Sequence, residues 1–322
     1  MNARFRRSVL VLRALAVPAV LGLCASCTGS GDSKPDPGDA GSARSSQGGA
    51  PGGSLLGSGQ VRVLVKNDQP GFSTREGKHG YRGFDVALSR FLARELGFGE
   101  RLVGAPGSER ERMLRQGTGD LAVATYTITD IRDKKIDFTA PYLKTYQGVL
   151  VRKGEKDIKQ LDDLGGKRLC TAVGSTSDPG SAPGGQEREQ IVKAVGRDAR
   201  IALRSDHGAC VKGLRDGEFD AVWTDRVLLE GFAQSDSGGD VEVVEDINIE
   251  NRQFYGVGVP EGHEKDCRRI NHKLKEFLRE TWRDAFSEQF PRLADEDAGF
   301  EQHYKPTESE FKAYEEKSCG AK

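Results

Sequence analysis

The 322-residue chain has no apolar run long enough to cross a bilayer. Its longest uninterrupted one, Ala14 to Leu23, is about half of the roughly 20 residues that a membrane-spanning helix needs. A mature transmembrane anchor is not expected, and neither is a receptor ectodomain, which would need such a helix and a signalling domain. Charge of one sign is also lacking: 48 Lys and Arg face 49 Asp and Glu, and no basic block is long enough to follow a phosphate backbone. Nucleic acid is therefore excluded as a partner. The five histidines, His79, His207, His263, His272 and His303, show no metal-ligand spacing such as His-Glu-x-x-His, and no Gly-x-Ser-x-Gly elbow occurs. No metal, no cofactor and no catalytic residue is expected; His79 in a polar turn and His263 beside Gly262 read as solvated loop residues.

What is present begins with a leader. Arg4, Arg6 and Arg7 precede the apolar stretch Val9 to Leu23, interrupted by Arg13, which is the shape of a secretory signal peptide. It ends Leu23-Cys24-Ala25-Ser26-Cys27, which resembles the lipobox of bacterial lipoproteins, where small residues admit the peptidase and the next cysteine takes the lipid. Residues 1–26 are expected to be removed and Cys27 to be lipidated, with plain secretion as the alternative. Cys24 and Cys27 also spell Cys-x-x-Cys, but a redox pair needs a folded helix start to lower its thiol pKa, and a removed leader provides none. Residues 27–59 are Gly, Ser, Pro and Asp with almost nothing apolar, a flexible tether that cannot offset the entropy of ordering. The remaining residues, about 260, are enough for one large domain or two smaller ones.

Four cysteines remain, Cys170, Cys210, Cys267 and Cys319, an even number in an exported chain, so disulfides are expected. Of three connectivities, the organisation below favours Cys170 with Cys210 and Cys267 with Cys319. A zinc site is the weaker reading, because no short ligand spacing groups them.

From Val61 the chain alternates strand-like and helix-like segments, which predicts an α/β fold. Val61 to Val65 reads as a strand ending in the turn Asn67-Asp68-Gln69-Pro70-Gly71. Phe84, Leu88, Phe91, Leu92 and Leu96 share one helical face, closed by Gly97. Ser108 with Glu111 reads as a capping box for a short helix, before a strand from Leu121 to Ala124. The rhythm resumes with strands at 168–173, 200–203 and 219–223, a helix before Val195 and another at 206–215. A single strand at 254–259 and a helix at 266–280 close the pattern. The chain is expected to leave a first lobe (60–150), visit a second (151–253) and return (254–322).

Within this frame Gly83-Phe84-Asp85-Val86, Ala124-Thr125-Tyr126-Thr127-Ile128-Thr129-Asp130 with Arg132, and Ile136-Asp137-Phe138 with Pro141-Tyr142 occur in order. Asp162-Leu164-Gly166-Lys167, Gly174-Ser175-Thr176, Gly217 to Val222 and Tyr255 to Pro260 continue the series. Together they closely resemble the polar-amino-acid binding proteins of ABC importers, over about Val61 to Phe290. The glutamate-binding branch is the most similar, through Asp68-Gln69-Pro70-Gly71, Arg110, Ala124-Thr125-Tyr126 and Gln147. The resemblance implies a type II periplasmic-binding-protein fold: two α/β lobes joined by two crossing strands, with the ligand cleft between them. It also implies a monomer on the outer face of the cytoplasmic membrane that passes a polar amino acid to an ABC permease, glutamate favoured, with aspartate, glutamine and asparagine left open.

The resemblance suggests a site that physical reasoning supports. Thr129 and Asp130 read as a helix start, so Arg132 would lie in the first turn, where the dipole disfavours a cation unless it clamps an anion. With backbone donors near Thr127 it would grip an α-carboxylate, to which Ser175 and Thr176 could also donate. Asp225 would emerge at the carboxyl end of a strand and meet the α-ammonium; its other reading is an N-cap for the helix from Arg226. Tyr126 and Phe72 are candidates to flank the ligand, with core packing as the alternative for Phe72. Arg110 would meet a side-chain carboxylate, or else belong to a solvated face with Arg112 and Arg115. Thr125 belongs to the same expected site, as does Asp68, for whose position Lys66 and Asn67 compete. The loop 178–185 is longer than is usual in the family and borders the expected cleft. The rival from another class is an enzyme on this fold, such as a dehydratase, which would need a placed acid or base; a ligand-sensing accessory role is the other alternative.

Overall fold

The computed structural model describes residues 53–320 except 58, 79, 182–197, 236 and 237, and only the backbone of 250 and 251. The leader, Cys27, most of the tether, His79, the helix expected before Val195 and the end of the 178–185 loop lie outside the described residues. The described part belongs to one compact unit, Gln47–Lys322.

The apolar run at its start forms β1 (Gln60–Val65), with Val61, Val63, Leu64 and Val65 buried. A small antiparallel sheet follows, β2 (Asp68–Gln69), β3 (Ser73–Glu76) and β4 (Gly80–Arg82). Gly83 then turns the chain at φ 132°; a Cβ there would fall 2.1 Å from the Phe72 carbonyl oxygen, so only glycine fits. Helix α1 (Phe84–Leu96) buries Phe84, Leu88, Phe91 and Leu92 on one face and ends at Gly97 in the left-handed conformation. Next come β5 (Gly99–Gly104), α2 (Arg110–Arg115), β6 (Leu121–Ala122), α3 (Asp130–Asp133) and β7 (Asp137–Phe138). The capping box expected at Ser108 does not form. Residues 106–109 make a turn closed by Glu109 N donating to Pro106 O, the helix begins only at Arg110, and no side chain caps it.

β8 (Leu143–Arg152) is a ten-residue strand that carries the chain into the second sheet, followed by β9 (Arg168–Ala172) and β10 (Arg200–Arg204). Helix α4 (His207–Arg215) is capped by Asp206, whose carboxylate accepts from Ala209 N at 2.8 Å. β11 (Ala221–Asp225) runs directly into α5 (Arg226–Ser235), and β12 (Val241–Val243) precedes the return strand β13 (Ile249–Tyr255). The strand expected at 254–259 is broken: β13 stops at Tyr255, and β14 (Gly258–Val259) joins the first sheet. Gly256 is the break, with its N–H donating to Tyr126 O and a Cβ there meeting Thr139 O at 3.0 Å.

The two large sheets have strand orders β5-β1-β6-β14-β7 and β10-β9-β11-β8-β12, with β13 also on β8. β8 and β13 pair antiparallel where they cross between them, from Leu143 with Tyr255 to Gln147 with Ile249, and the register shifts between Ile249 and Gln253. This two-lobed α/β arrangement is the type II periplasmic-binding-protein fold. Helices α6 (Glu264–Glu280), α7 (Trp282–Gln289), α8 (Pro291–Glu296), α9 (Phe300–Tyr304) and α10 (Glu308–Glu315) cover the first lobe. Trp282, Phe286 and Phe290 stack along them and reach Phe72, whose ring centroid is 5.1 Å from that of Phe290. Two disulfides are present, Cys170–Cys210 fastening β9 to α4 and Cys267–Cys319 fastening α6 to the last described residues. The Ser54 hydroxyl and the Leu55 N–H both donate to Asp266 in the first turn of α6, at 2.8 and 2.6 Å.

Candidate functional site

The first lobe's contribution starts at the end of β6, where the chain leaves the sheet in a strained turn. Thr125 has φ 45°, a conformation that costs a β-branched residue free energy unless its surroundings enforce it. Asp85, at the start of α1, enforces it: one carboxylate oxygen accepts from Thr125 N at 2.8 Å and the other from the Tyr142 hydroxyl at 2.8 Å. Burial pushes the Asp85 carboxyl up to about 7. From α2, Arg110 holds the other side of the turn through Ala124 O and Thr125 O, and its guanidinium lies 4.2 Å from the Tyr126 ring centroid. Three residues on, Thr129 caps α3 by accepting from Arg132 N, as the sequence leads one to expect, and the Arg132 guanidinium stacks on Tyr126 from 5.1 Å.

The second lobe meets this turn with three elements. The loop after β9 brings Gly174, whose carbonyl accepts from Arg132 Nη2 at 2.8 Å while Nη1 donates to Thr127 O at 2.8 Å. Arg132 thus bridges the lobes. Gly174 itself packs on the other lobe at φ 77°, where a Cβ would fall 2.8 Å from Ser108 Cα. The start of α4 comes close as well, Gly208 N donating to Asp68 Oδ2 at 3.3 Å. The end of β11 presents Asp225. Its Oδ2 accepts from the Tyr255 hydroxyl, and its buried Oδ1 has no partner. Asp225 is not a helix cap: the first amide of α5 that is bonded, Val227 N, donates to Thr145 Oγ1 on β8 instead.

Between these elements lies a narrow, partly open pocket of about 20 Å³. Of the residues expected from the sequence, Arg110, Thr125, Thr127, Arg132, Ser175, Thr176 and Asp225 line it. Arg110 is 4 % exposed and belongs to no solvated face. Three of the expected residues do not line it. Phe72 is fully buried in the first-lobe core against Phe84, Tyr255 and Phe290. Tyr126 lies behind the cavity as the platform under Arg110 and Arg132. Asp68 stands behind Lys66, 3.7 Å from its ammonium, and is occupied by Gly208 N. Lys66, which competes with Asp68 in the sequence, lines the cavity in its place; Gln69, His207, Thr224 and Leu228 line it as well and were not assigned from the sequence. His207 was passed over because it belongs to no metal spacing; its available signal was a helix start directly after a strand, the end of an α/β sheet where ligands bind.

The cavity is polar, buried and rich in cations. Burial pushes the Asp225 carboxyl up to about 6, against the pull of the Tyr255 hydroxyl and of Arg132 and Arg110. Burial likewise lowers Lys66, and lowers Arg110 to about 10 with Arg132 as its neighbour. Arg110 Nη2 makes no hydrogen bond among the described residues, and the unpartnered Asp225 Oδ1 is a buried acceptor in want of a donor. Such a site suits a small zwitterion: Asp225 for an ammonium, guanidinium and backbone donors for a carboxylate.

The comparisons with known proteins agree with this geometry. Residues 61–291 match the model of the bacterial extracellular solute-binding proteins, family 3. The glutamate-binding protein GluB of Corynebacterium glutamicum is 31% identical over 228 residues, which cover 67% of this chain and 73% of that protein. The glutamine-binding protein GlnH of Bacillus subtilis, of an ABC transporter, is 28% identical over 66% of this chain and 73% of its own. Among solved structures, an ancestral arginine-binding protein bound to glutamine superposes with a TM-score of 0.63 at 27% identity, over 72% of this chain and 97% of that one. These relatives are named as binding proteins, not as enzymes. With the cleft between two α/β lobes and the family match over more than half its length, the chain belongs to the bacterial extracellular solute-binding proteins, family 3.

Proposed function

We propose that this amino-acid-binding protein of an ABC importer takes an acidic amino acid, glutamate first and aspartate second. The observation that carries the reading is the charge of the cavity wall, three cations, Lys66, Arg110 and Arg132, against the single carboxylate of Asp225. Behind the wall Asp68 and Asp206 act on Lys66, and Asp85, whose carboxyl burial pushes up to about 7, offsets Arg110 in part. An amino acid with a neutral side chain brings one positive and one negative group and leaves the wall's excess uncompensated; a second carboxylate compensates it, and in a buried site that difference counts heavily. In this reading Arg132 and the Ser175–Thr176 loop hold the α-carboxylate, Asp225 the α-ammonium, and Arg110 with Lys66 the side chain. We further read the protein as a monomer held through lipid on Cys27 to the outer face of the cytoplasmic membrane, where its permease lies.

Calorimetric titration of the ligand-stripped protein against the twenty amino acids tests the assignment. One charge-assisted contact contributes about 1.5–3 kcal/mol, so glutamate or aspartate should bind at least about tenfold more tightly than glutamine, without turnover. A preference for glutamine, asparagine or arginine overturns the reading.

A further inference from the structure

We propose that the segment Phe300–Cys319 is a strap across the two crossing strands, and that Glu310 is a positioning residue that holds those strands in the bend at which the lobes meet. The inference concerns closure and stands apart from which amino acid is bound.

The family match ends at residue 291, so the segment lies outside it. It is fixed to the first lobe at its far end, where Cys319 is cross-linked to Cys267 and the Ser318 hydroxyl accepts from Asn271 Nδ2 at 2.8 Å. Before that it passes over the place where β8 and β13 pair. Tyr304 reaches Arg226 at the start of α5, and the Tyr314 ring centroid lies 4.8 Å from that of Phe254 on β13. Glu310 grips both strands: Oε2 accepts from Lys144 Nζ on β8 at 3.0 Å, and Oε1 accepts from Arg252 Nη1 on β13 at 2.8 Å.

Lys144 stands opposite Phe254, and Arg252 falls in the stretch between Ile249 and Gln253 where the register shifts. A shifted register disrupts the ladder and bends the strand, so the pair turns there. A contact moves a conformational equilibrium only by what it makes in one state and not in the other. Glu310 is held to the first lobe while Arg252 lies where β13 bends, which ties their contact to one setting of the bend. That setting has the lobes touching, since Arg132 reaches Gly174 O across them. Burial decides which arm of the grip matters more. Lys144 is 4 % exposed, and Glu310 is the one carboxylate within ion-pair distance of it among the described residues, whereas the Arg252 side chain is half exposed and its ion pair is screened.

Glu310 also closes the capping box of α10, accepting from Thr307 N at 2.8 Å, and glutamine serves such a box equally well. Glu310→Gln therefore releases the strands and leaves the helix capped. It should weaken glutamate and aspartate by the same factor, about three- to tenfold, and enlarge the radius of gyration of the ligand-free protein in small-angle scattering. A lower Tm is expected as well, because Lys144 is left buried without its carboxylate. The double variant Lys144→Met with Glu310→Gln removes that stranded charge, so its Tm should return toward wild type while the affinity loss and the larger radius persist. Affinity that recovers together with Tm in the double variant marks a merely structural ion pair and overturns the inference. So does an affinity within about twofold of wild type in Glu310→Gln, or a loss confined to one of the two ligands. If wild type binds neither glutamate nor aspartate, the acidic-ligand reading falls, and the scattering comparison, which needs no ligand, still decides this one: an unchanged radius overturns it.

Discussion

A carboxylate buried beside two arginines and still protonating near pH 6 gives Asp225 a distinct signature in binding. The ammonium of an amino acid needs the ionised form, and its arrival stabilises that form, so the proton affinity of Asp225 falls on binding. Below about pH 6 the ligand must displace a proton, and its affinity should drop by up to about tenfold per pH unit; above that pH this contribution is flat. Calorimetry in buffers of different ionisation enthalpy would count the released proton, and Asp225→Asn should remove the pH dependence with most of the affinity. At this scale the sequence was informative about place: Asp225, Ser175, Thr176 and Arg132, read at strand ends and a helix start, all line the cavity. It misled by one residue where the backbone is extended. Side chains alternate along β2, so Gln69 faces the cavity and Asp68 does not; in the turn bent by Thr125 at φ 45°, Thr125 and Thr127 line the cavity and Tyr126 does not. Parity of that kind depends on which face of a short strand meets the ligand, and two residues of β2 carry no pattern from which to read it.

At the scale of elements, α4 matters most, because it brings His207 and the Gly208 N–H to the other lobe and is held to β9 by Cys170–Cys210. The cross-link closes a loop with a sequence separation of 40, worth about 4 kcal/mol in the chain-entropy description. The double variant Cys170→Ser with Cys210→Ser should therefore lower the guanidinium midpoint of the second lobe's unfolding by a matching amount, while Cys267→Ser with Cys319→Ser should act on the first. Denaturation followed through Trp223 in one lobe and Trp282 in the other would separate the two. Long elements were legible because hydrophobic periodicity is strong over a dozen residues, as in α1 and α6. Short ones were not. The turn at 106–109, closed by its own Glu109 N to Pro106 O bond, displaced a capping box that Ser108 and Glu111 spell, and Gly256, bonded to the distant Tyr126 O, split a strand that Phe254 to Val259 spell.

In the proposed function the whole molecule acts through the contact of the two lobes around the cavity, where Arg132 reaches Gly174 O. Gly174 sits at their contact, and Gly174→Ala places a methyl group 2.8 Å from Ser108 Cα in a backbone conformation that already disfavours it. It should weaken glutamate and aspartate alike, by about tenfold or more, and small-angle scattering should show a radius of gyration that no longer shrinks on saturation. Proportional losses for both ligands mark a closure defect, whereas a loss confined to one marks the cavity wall. Among the described residues the chain passes between the lobes in β8 and β13, and both ends of the described chain are fastened to the first lobe. Ser54 and Leu55 are bound to Asp266, and Cys319 to Cys267, adjacent residues on a single turn of α6. In mechanical terms both ends of the described chain load the same point. In the proposed anchored protein, a pull transmitted through Ser54 and Leu55 would be taken up at Asp266 on α6, leaving the second lobe unladen.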